Sequence, residues 1–129
     1  LGSGKTSLTQ GIGRGWGAQQ ALVSPTFVLV REYGRPEDDE TLYHVDLYRI
    51  SGSGEAWSLG IEEFVGDEDA VTVIEWPGRA ESLIPPDHLW IKLDFIERAD
   101  LTRRHLWFSA RGERHEALLR EFRHLAFGA

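Results

Sequence analysis

The chain opens with Leu1-Gly2-Ser3-Gly4-Lys5-Thr6-Ser7-Leu8, the second half of the phosphate-binding pattern G-x-x-x-x-G-K-[ST]. A polyphosphate is held most cheaply by a turn of backbone N–H groups opening onto a helix N-terminus, where unpaired donors and the helix dipole both favour an anion. Gly2 and Gly4 let the backbone curl that tightly around Ser3. Lys5 then reaches the β- and γ-phosphates, the Thr6 hydroxyl ligates Mg²⁺, and the Ser7 hydroxyl lies near the α-phosphate. Leu8, Ile12 and Trp16 follow at helical spacing, which separates the pattern from a glycine-rich terminus with an ordinary Lys-Thr. Counting back from Gly4 places the motif's first glycine just before Leu1, so the start of the loop and the strand feeding it are expected upstream.

The remaining pattern fits an α/β fold, a P-loop NTPase-like three-layer sandwich with a mixed sheet that lacks its first strand. Residues 5–16 read as a helix ending near Gly17, weakened by Gly11, Gly13 and Gly15. Ser24-Pro25-Thr26 breaks the chain, and residues 27–33 read as a strand. Residues 34–40, with Pro36 and a run of acids, read as a loop. Residues 42–48 read as a second strand, antiparallel to the first, with His44, Asp46 and Tyr48 on one face. Two short helical turns are expected over 55–59 and 61–65. Residues 70–74 have the apolar character of a parallel strand buried on both faces. Residues 89–96 and 105–110 read as a hairpin, and residues 113–125 as an amphipathic helix with Leu118, Phe122 and Leu125 inward.

At 129 residues, 41% of them hydrophobic, the chain is expected to form one domain, residues 1–129. There is no cysteine and no apolar run near the roughly 18 residues a membrane span needs, so a cytoplasmic location is expected. Residues 1–97 carry 7 Lys/Arg against 17 Asp/Glu, while residues 98–129 carry 7 against 4. An acidic body of that size argues against direct capture of nucleic acid, which depends on neutralising many phosphates.

A phosphate loop needs a second acidic group at the C-terminal end of a neighbouring strand, the edge that faces the nucleotide in open α/β sheets. Glu75 stands there; it either serves Mg²⁺ and the attacking water or pairs with a nearby arginine such as Arg79. Asp46 interrupts a strand face, where a buried carboxylate is costly unless paired or bound to metal. It is a second metal ligand or, if that face is exposed, an ordinary surface group. His44 reads as a hydrogen-bonded structural histidine sooner than as a base. Thr26 occupies the place where switch proteins sense the γ-phosphate, although Ser-Pro-Thr is also a common turn. Trp76 either stacks on a base or on a partner, or belongs to the core.

Taken in order, Gly-Lys-Thr at 4–6, Ser-Pro-Thr-Phe at 24–27, Glu-Tyr at 32–33, Leu-Tyr-His-Val-Asp-Leu-Tyr-Arg at 42–49, Leu-Gly-Ile-Glu-Glu at 59–63 and Ile-Glu-Trp-Pro at 74–77 resemble the TsaE (YjeE) family, from residue 1 to about 95. This resemblance implies a P-loop ATPase that binds ATP and Mg²⁺ and works with TsaD and TsaB. That pair transfers a threonylcarbamoyl group to the tRNA adenosine beside the anticodon, and tRNA is met through the complex. The resemblance also implies that Gly2, Ser3, Gly4, Lys5, Thr6, Ser7, Thr26 and Trp76 contact nucleotide, that Thr6, Asp46 and Glu75 hold metal, and that Glu75 and Lys5 act in hydrolysis. Gly78 departs from the acidic or polar residue common in the family.

Two other readings compete. A small-molecule kinase also uses a P-loop but adds an arginine-rich lid, and the arginines here cluster towards the C-terminus. A nucleotide-gated binding module would use ATP only to set affinity for partners, without significant hydrolysis. No arginine stands beside the loop in sequence, so a weak ATPase stimulated by its partners is expected.

Overall fold

The computed structural model describes residues 4–23, 30–95 and 103–128, which fall into two compact units, Gly4–Ile84 and the residues from Pro85 onward. The first unit begins with helix α1, Lys5–Trp16, which stops at Gly17 as expected. Strands β1, Val30–Arg35, and β2, Asp38–Asp46, pair antiparallel, and β3, Ala70–Glu75, pairs parallel with β2. The sheet order is β1-β2-β3, so it is mixed. Between β2 and β3 lie helices α2, Ser53–Ser58, and α3, Glu62–Val65; a 3₁₀ segment, Pro77–Leu83, follows β3.

Alternation along the strands divides the apolar residues between two faces. Tyr43, Val45 and Ile74 pack with Ile50, Ala56, Ile61, Val65, Ala80 and Leu83, from α2, α3, the 3₁₀ segment and their connections. Leu42, Val71 and Val73 pack on the other face with Trp16, Ala18 and Leu22, from α1 and the chain just after it. Both faces are thus covered, which is the three-layer arrangement.

Four expectations need correction. Residues 34–40 are not a loop: β1 runs to Arg35 and β2 starts at Asp38, leaving Pro36-Glu37 as the turn. The guanidinium of Arg35 explains this, donating to both oxygens of Asp38 at 2.8 and 2.6 Å and also to Glu40. This pairing holds the Asp38 carboxyl below its ordinary range. Next, β2 ends at Asp46 instead of Tyr48, because Asp46 Oδ1 accepts the Tyr48 N–H at 3.0 Å and turns the chain. Third, β3 is half-buried along its length instead of buried on both faces, since among the described residues only β2 pairs with it.

The fourth concerns the second unit. Strands β4, His88–Phe95, and β5, Arg104–Arg111, form the expected antiparallel hairpin, and helix α4, Glu113–Phe127, packs on it. Phe122 lies with its ring 5.3 Å from that of Phe108, yet Leu118, Phe122 and Leu125 are exposed, not inward. Helical periodicity marks an apolar stripe but not what covers it, and here Leu118 and Leu125 stay open to solvent at 51% and 77% exposure.

The start of α4 is capped from a distance. Gly112 precedes the helix with φ +87° and has no side chain to cap it; instead Asp87 accepts the N–H groups of Arg114 and His115, each at 3.1 Å, and the His115 ring Nδ1–H at 2.5 Å. A Cβ on Gly112 would overlap the Asp87 side chain. The His115 hydrogen bond leads the effects that hold the Asp87 carboxyl below its ordinary range. Its contribution to stability is therefore complete above the unfolded aspartate value of about 3.9 and is lost as pH falls through the lower folded value. Chemical denaturation should show the largest gap between the wild type and Asp87→Asn near neutrality, with the gap closing in acid below that range.

Gly13 faces Leu22, and a Cβ there would overlap the Leu22 side chain, whereas Gly15 has open space around it. Gly13→Ala should lose about 1–3 kcal/mol through overpacking. Gly15→Ala should gain about 0.5–1 kcal/mol from helix propensity. Denaturation midpoints of the two variants, moving in opposite directions, check this reading.

Candidate functional site

Gly4 stands at the N-cap of α1 with φ 102° and ψ 12°, a left-handed conformation that glycine adopts without steric cost. This is the tight curl the sequence leads one to expect at this position. Thr6 and Ser7 lie exposed in the first turn, and Thr9 is buried with its Oγ1 donating to the Lys5 carbonyl at 2.8 Å. The Lys5 ammonium rests over the Trp76 ring, 4.6 Å from its centroid. Such a contact is worth about 0.5–2 kcal/mol, and it ties the start of α1 to the chain leaving β3.

The second part of the site is built at the ends of two strands. In the parallel register Asp46 faces Glu75 at the C-terminal ends of β2 and β3. Registered residues share a sheet face, so both carboxylates rise with Leu42, Val71 and Val73 on the side towards α1. Like charges directly opposite one another are destabilising, and this arrangement favours a cation beside them. Among the described residues no three His, Cys, Asp or Glu side chains converge as a metal cluster. Mg²⁺ commonly takes only one or two carboxylates and completes its shell with water and phosphate oxygens.

Glu75 has a protein partner, and it is not Arg79, the alternative weighed against a metal role. Its Oε2 lies 2.9 Å from His44 Nε2, and the His44 side chain is only 2% exposed. Arg79 instead stacks its guanidinium over Tyr48, 5.5 Å from the ring centroid. His44 is the hydrogen-bonded histidine anticipated from sequence, but its link to Glu75 spans 31 positions and no local pattern reveals it.

Trp76 is half-buried against the α2–α3 cluster, with its ring 4.9 Å from Tyr48. It is the one non-glycine residue at positive φ among the described residues, at φ 59° and ψ 48°. Its conformation turns the chain away from the strand into Pro77 and aims the ring at Lys5. Core packing and site geometry therefore coincide in one side chain. Tyr48 and Arg79 extend the stack and were not anticipated. Gly2, Ser3, Thr26 and the Ser24–Phe27 segment lie outside the described residues.

Comparison with known proteins gives this geometry relatives. Residues 1–105 match the family model described as "Threonylcarbamoyl adenosine biosynthesis protein TsaE". A relative from Bacillus subtilis (strain 168) is 36% identical over 121 residues, covering 94% of this chain and 72% of its own length. One from Streptomyces coelicolor is 41% identical over 118 residues, covering 88% and 77% respectively. One from Synechocystis sp. is 46% identical over 86 residues, covering 64% and 53%. All three carry the name tRNA threonylcarbamoyladenosine biosynthesis protein TsaE.

The backbone at Trp76 generates a measurable expectation. Alanine and glycine both remove the ring, but only alanine keeps the left-handed penalty of about 1–2 kcal/mol. Trp76→Gly should be more stable than Trp76→Ala by about 1 kcal/mol, the reverse of the usual order, as read by chemical denaturation.

Proposed function

Because the chain belongs to the TsaE family of tRNA threonylcarbamoyladenosine biosynthesis, we propose that it is the subunit that binds and hydrolyses ATP for this modification, acting in the cytoplasm with TsaD and TsaB. The observation that carries this reading is the meeting of Lys5 with Trp76, the residue after Glu75, at the strand edge where Glu75 faces Asp46. A phosphate-loop lysine is thereby held beside the residue that follows one of the two strand-end carboxylates.

In this reading Gly2, Ser3 and Gly4 cradle the phosphates with backbone N–H groups, and Lys5 offers its ammonium to the β- and γ-phosphates. The Thr6 hydroxyl, Asp46 and Glu75 are hard oxygen donors suited to Mg²⁺, which when bound supplies charge neutralisation at the phosphates. Ser7 lies near the α-phosphate and Thr26 belongs to the switch. Glu75 orients the water that attacks the γ-phosphate, and Trp76 walls the site. The acidic body leaves tRNA contact to the partners. Among the described residues no helix is long and apolar enough to cross a membrane.

In a chain extended upstream through the loop's first glycine, Lys5→Ala should abolish ATP binding in calorimetry. Asp46→Asn and Glu75→Gln should keep the fold while cutting phosphate release, measured with TsaD and TsaB present, by about 10²–10³-fold. Wild-type turnover in both carboxylate variants would move these residues out of the site.

A further inference from the structure

Position 44 carries a polar ring where an apolar residue would bury more cheaply. Its neighbours Leu42 and Val45 are fully buried, and His44 is 2% exposed. Of its two nitrogens, Nε2 lies 2.9 Å from Glu75 Oε2, while the buried Nδ1 has no hydrogen-bond partner among the described residues. A half-satisfied buried imidazole is less favourable for stability than a leucine of similar volume. Something other than packing is served by the histidine.

The unpartnered nitrogen identifies the tautomer. An imidazolium, or a neutral ring protonated at Nδ1, would bury an N–H with no acceptor. A neutral ring protonated at Nε2 leaves only a bare lone pair, the lesser cost. Nε2 is therefore the donor, and an ionised Glu75 is the acceptor. His44 registers with Val73, two residues before Glu75 on the same sheet face, so the ring reaches the carboxylate diagonally across the parallel ladder. With 2% of its surface exposed, the ring offers no open face to a ligand, and its contact with the candidate site runs through Glu75.

We propose that His44 is the positioning residue of Glu75: by holding Oε2 it fixes the plane of the carboxylate and hence the direction of its second oxygen. That oxygen accepts no hydrogen bond among the described residues. This inference rests on the ATPase reading above, in which Glu75 orients water, and it assigns the orientation of Glu75 to a buried residue. Groups of this kind commonly carry 10–100-fold effects on activity.

The test compares His44→Leu, which keeps volume without a donor, with His44→Gln, whose amide N–H extends towards the position of Nε2. Phosphate release is measured with TsaD and TsaB on the upstream-extended chain, and ATP affinity by calorimetry. His44→Leu should lower kcat about 10–100-fold with ATP affinity within about threefold, and His44→Gln should recover at least about tenfold of a 100-fold loss. On a Glu75→Gln background, His44→Leu should cost nothing further, because the two residues act as a unit. Unchanged kcat in His44→Leu, equal losses in the two variants, or fully additive losses would each overturn the proposal. Nitrogen-15 spectroscopy of the wild-type ring decides the matter even if His44→Leu does not fold: an Nε2–H tautomer supports it, and a proton on Nδ1 overturns it. Slow turnover in Glu75→Gln with normal turnover in His44→Leu would sink only this inference. Glu75→Gln indistinguishable from wild type would sink the ATPase reading, and the positioning role with it.

Discussion

The parallel pairing of β2 with β3 is the interaction on which the rest of the first unit depends. It runs from Thr41 beside Ala70 to Asp46 beside Glu75, so the ladder ends with the two carboxylates side by side. Its alternation also sends Tyr43, Val45 and Ile74 to the α2–α3 layer and Leu42, Val71 and Val73 to the α1 layer. A slip of one residue would turn every side chain of one strand to the wrong face. It would bury a carboxylate in an apolar cluster and part Asp46 from Glu75. Core and site are thus held by the same register, and the hydrophobic pattern that specifies one specifies the other.

Much of this was legible in the sequence where short-range chemistry decides the outcome. The bounds of α1 follow from the Gly-Lys-Thr turn, the spacing of Leu8, Ile12 and Trp16, and the stop at Gly17. The apolar run of β3 and the hairpin of β4 and β5 are equally direct. The errors fall where a distant or unexpected partner changes the meaning of a residue. Asp38, Asp39 and Glu40 read as a loop because acids disfavour strands, until Arg35 neutralises Asp38 and Glu40 across a tight turn. Leu118 and Leu125 read as inward because periodicity marks an apolar face without showing what that face meets. At the candidate site, the ordered motifs single out Asp46 and Glu75. The hydrogen bond from His44 and the stack of Lys5, Trp76, Tyr48 and Arg79 exist only once the strands are paired.

The second unit solves a different local problem. Gly112 must be glycine for two reasons at once, its left-handed backbone and the space taken by Asp87, so it cannot cap its own helix. The helix N-terminus is satisfied by a residue 27 and 28 positions away in sequence. Formation of α4 is in this way coupled to the folding of the hairpin beneath it, and a helix of fifteen residues, marginal by itself at that length, is stabilised by tertiary contact.

The missing side chain at Gly13 has a mechanical meaning. Leu22 sits in the notch it leaves, which keys α1 like a shaft and fixes its rotation about its own axis. The notch lies eight residues from Lys5, about two turns and 12 Å down the helix. The direction in which Lys5 leaves the helix is therefore set from the far end of α1, by Gly13 and Leu22.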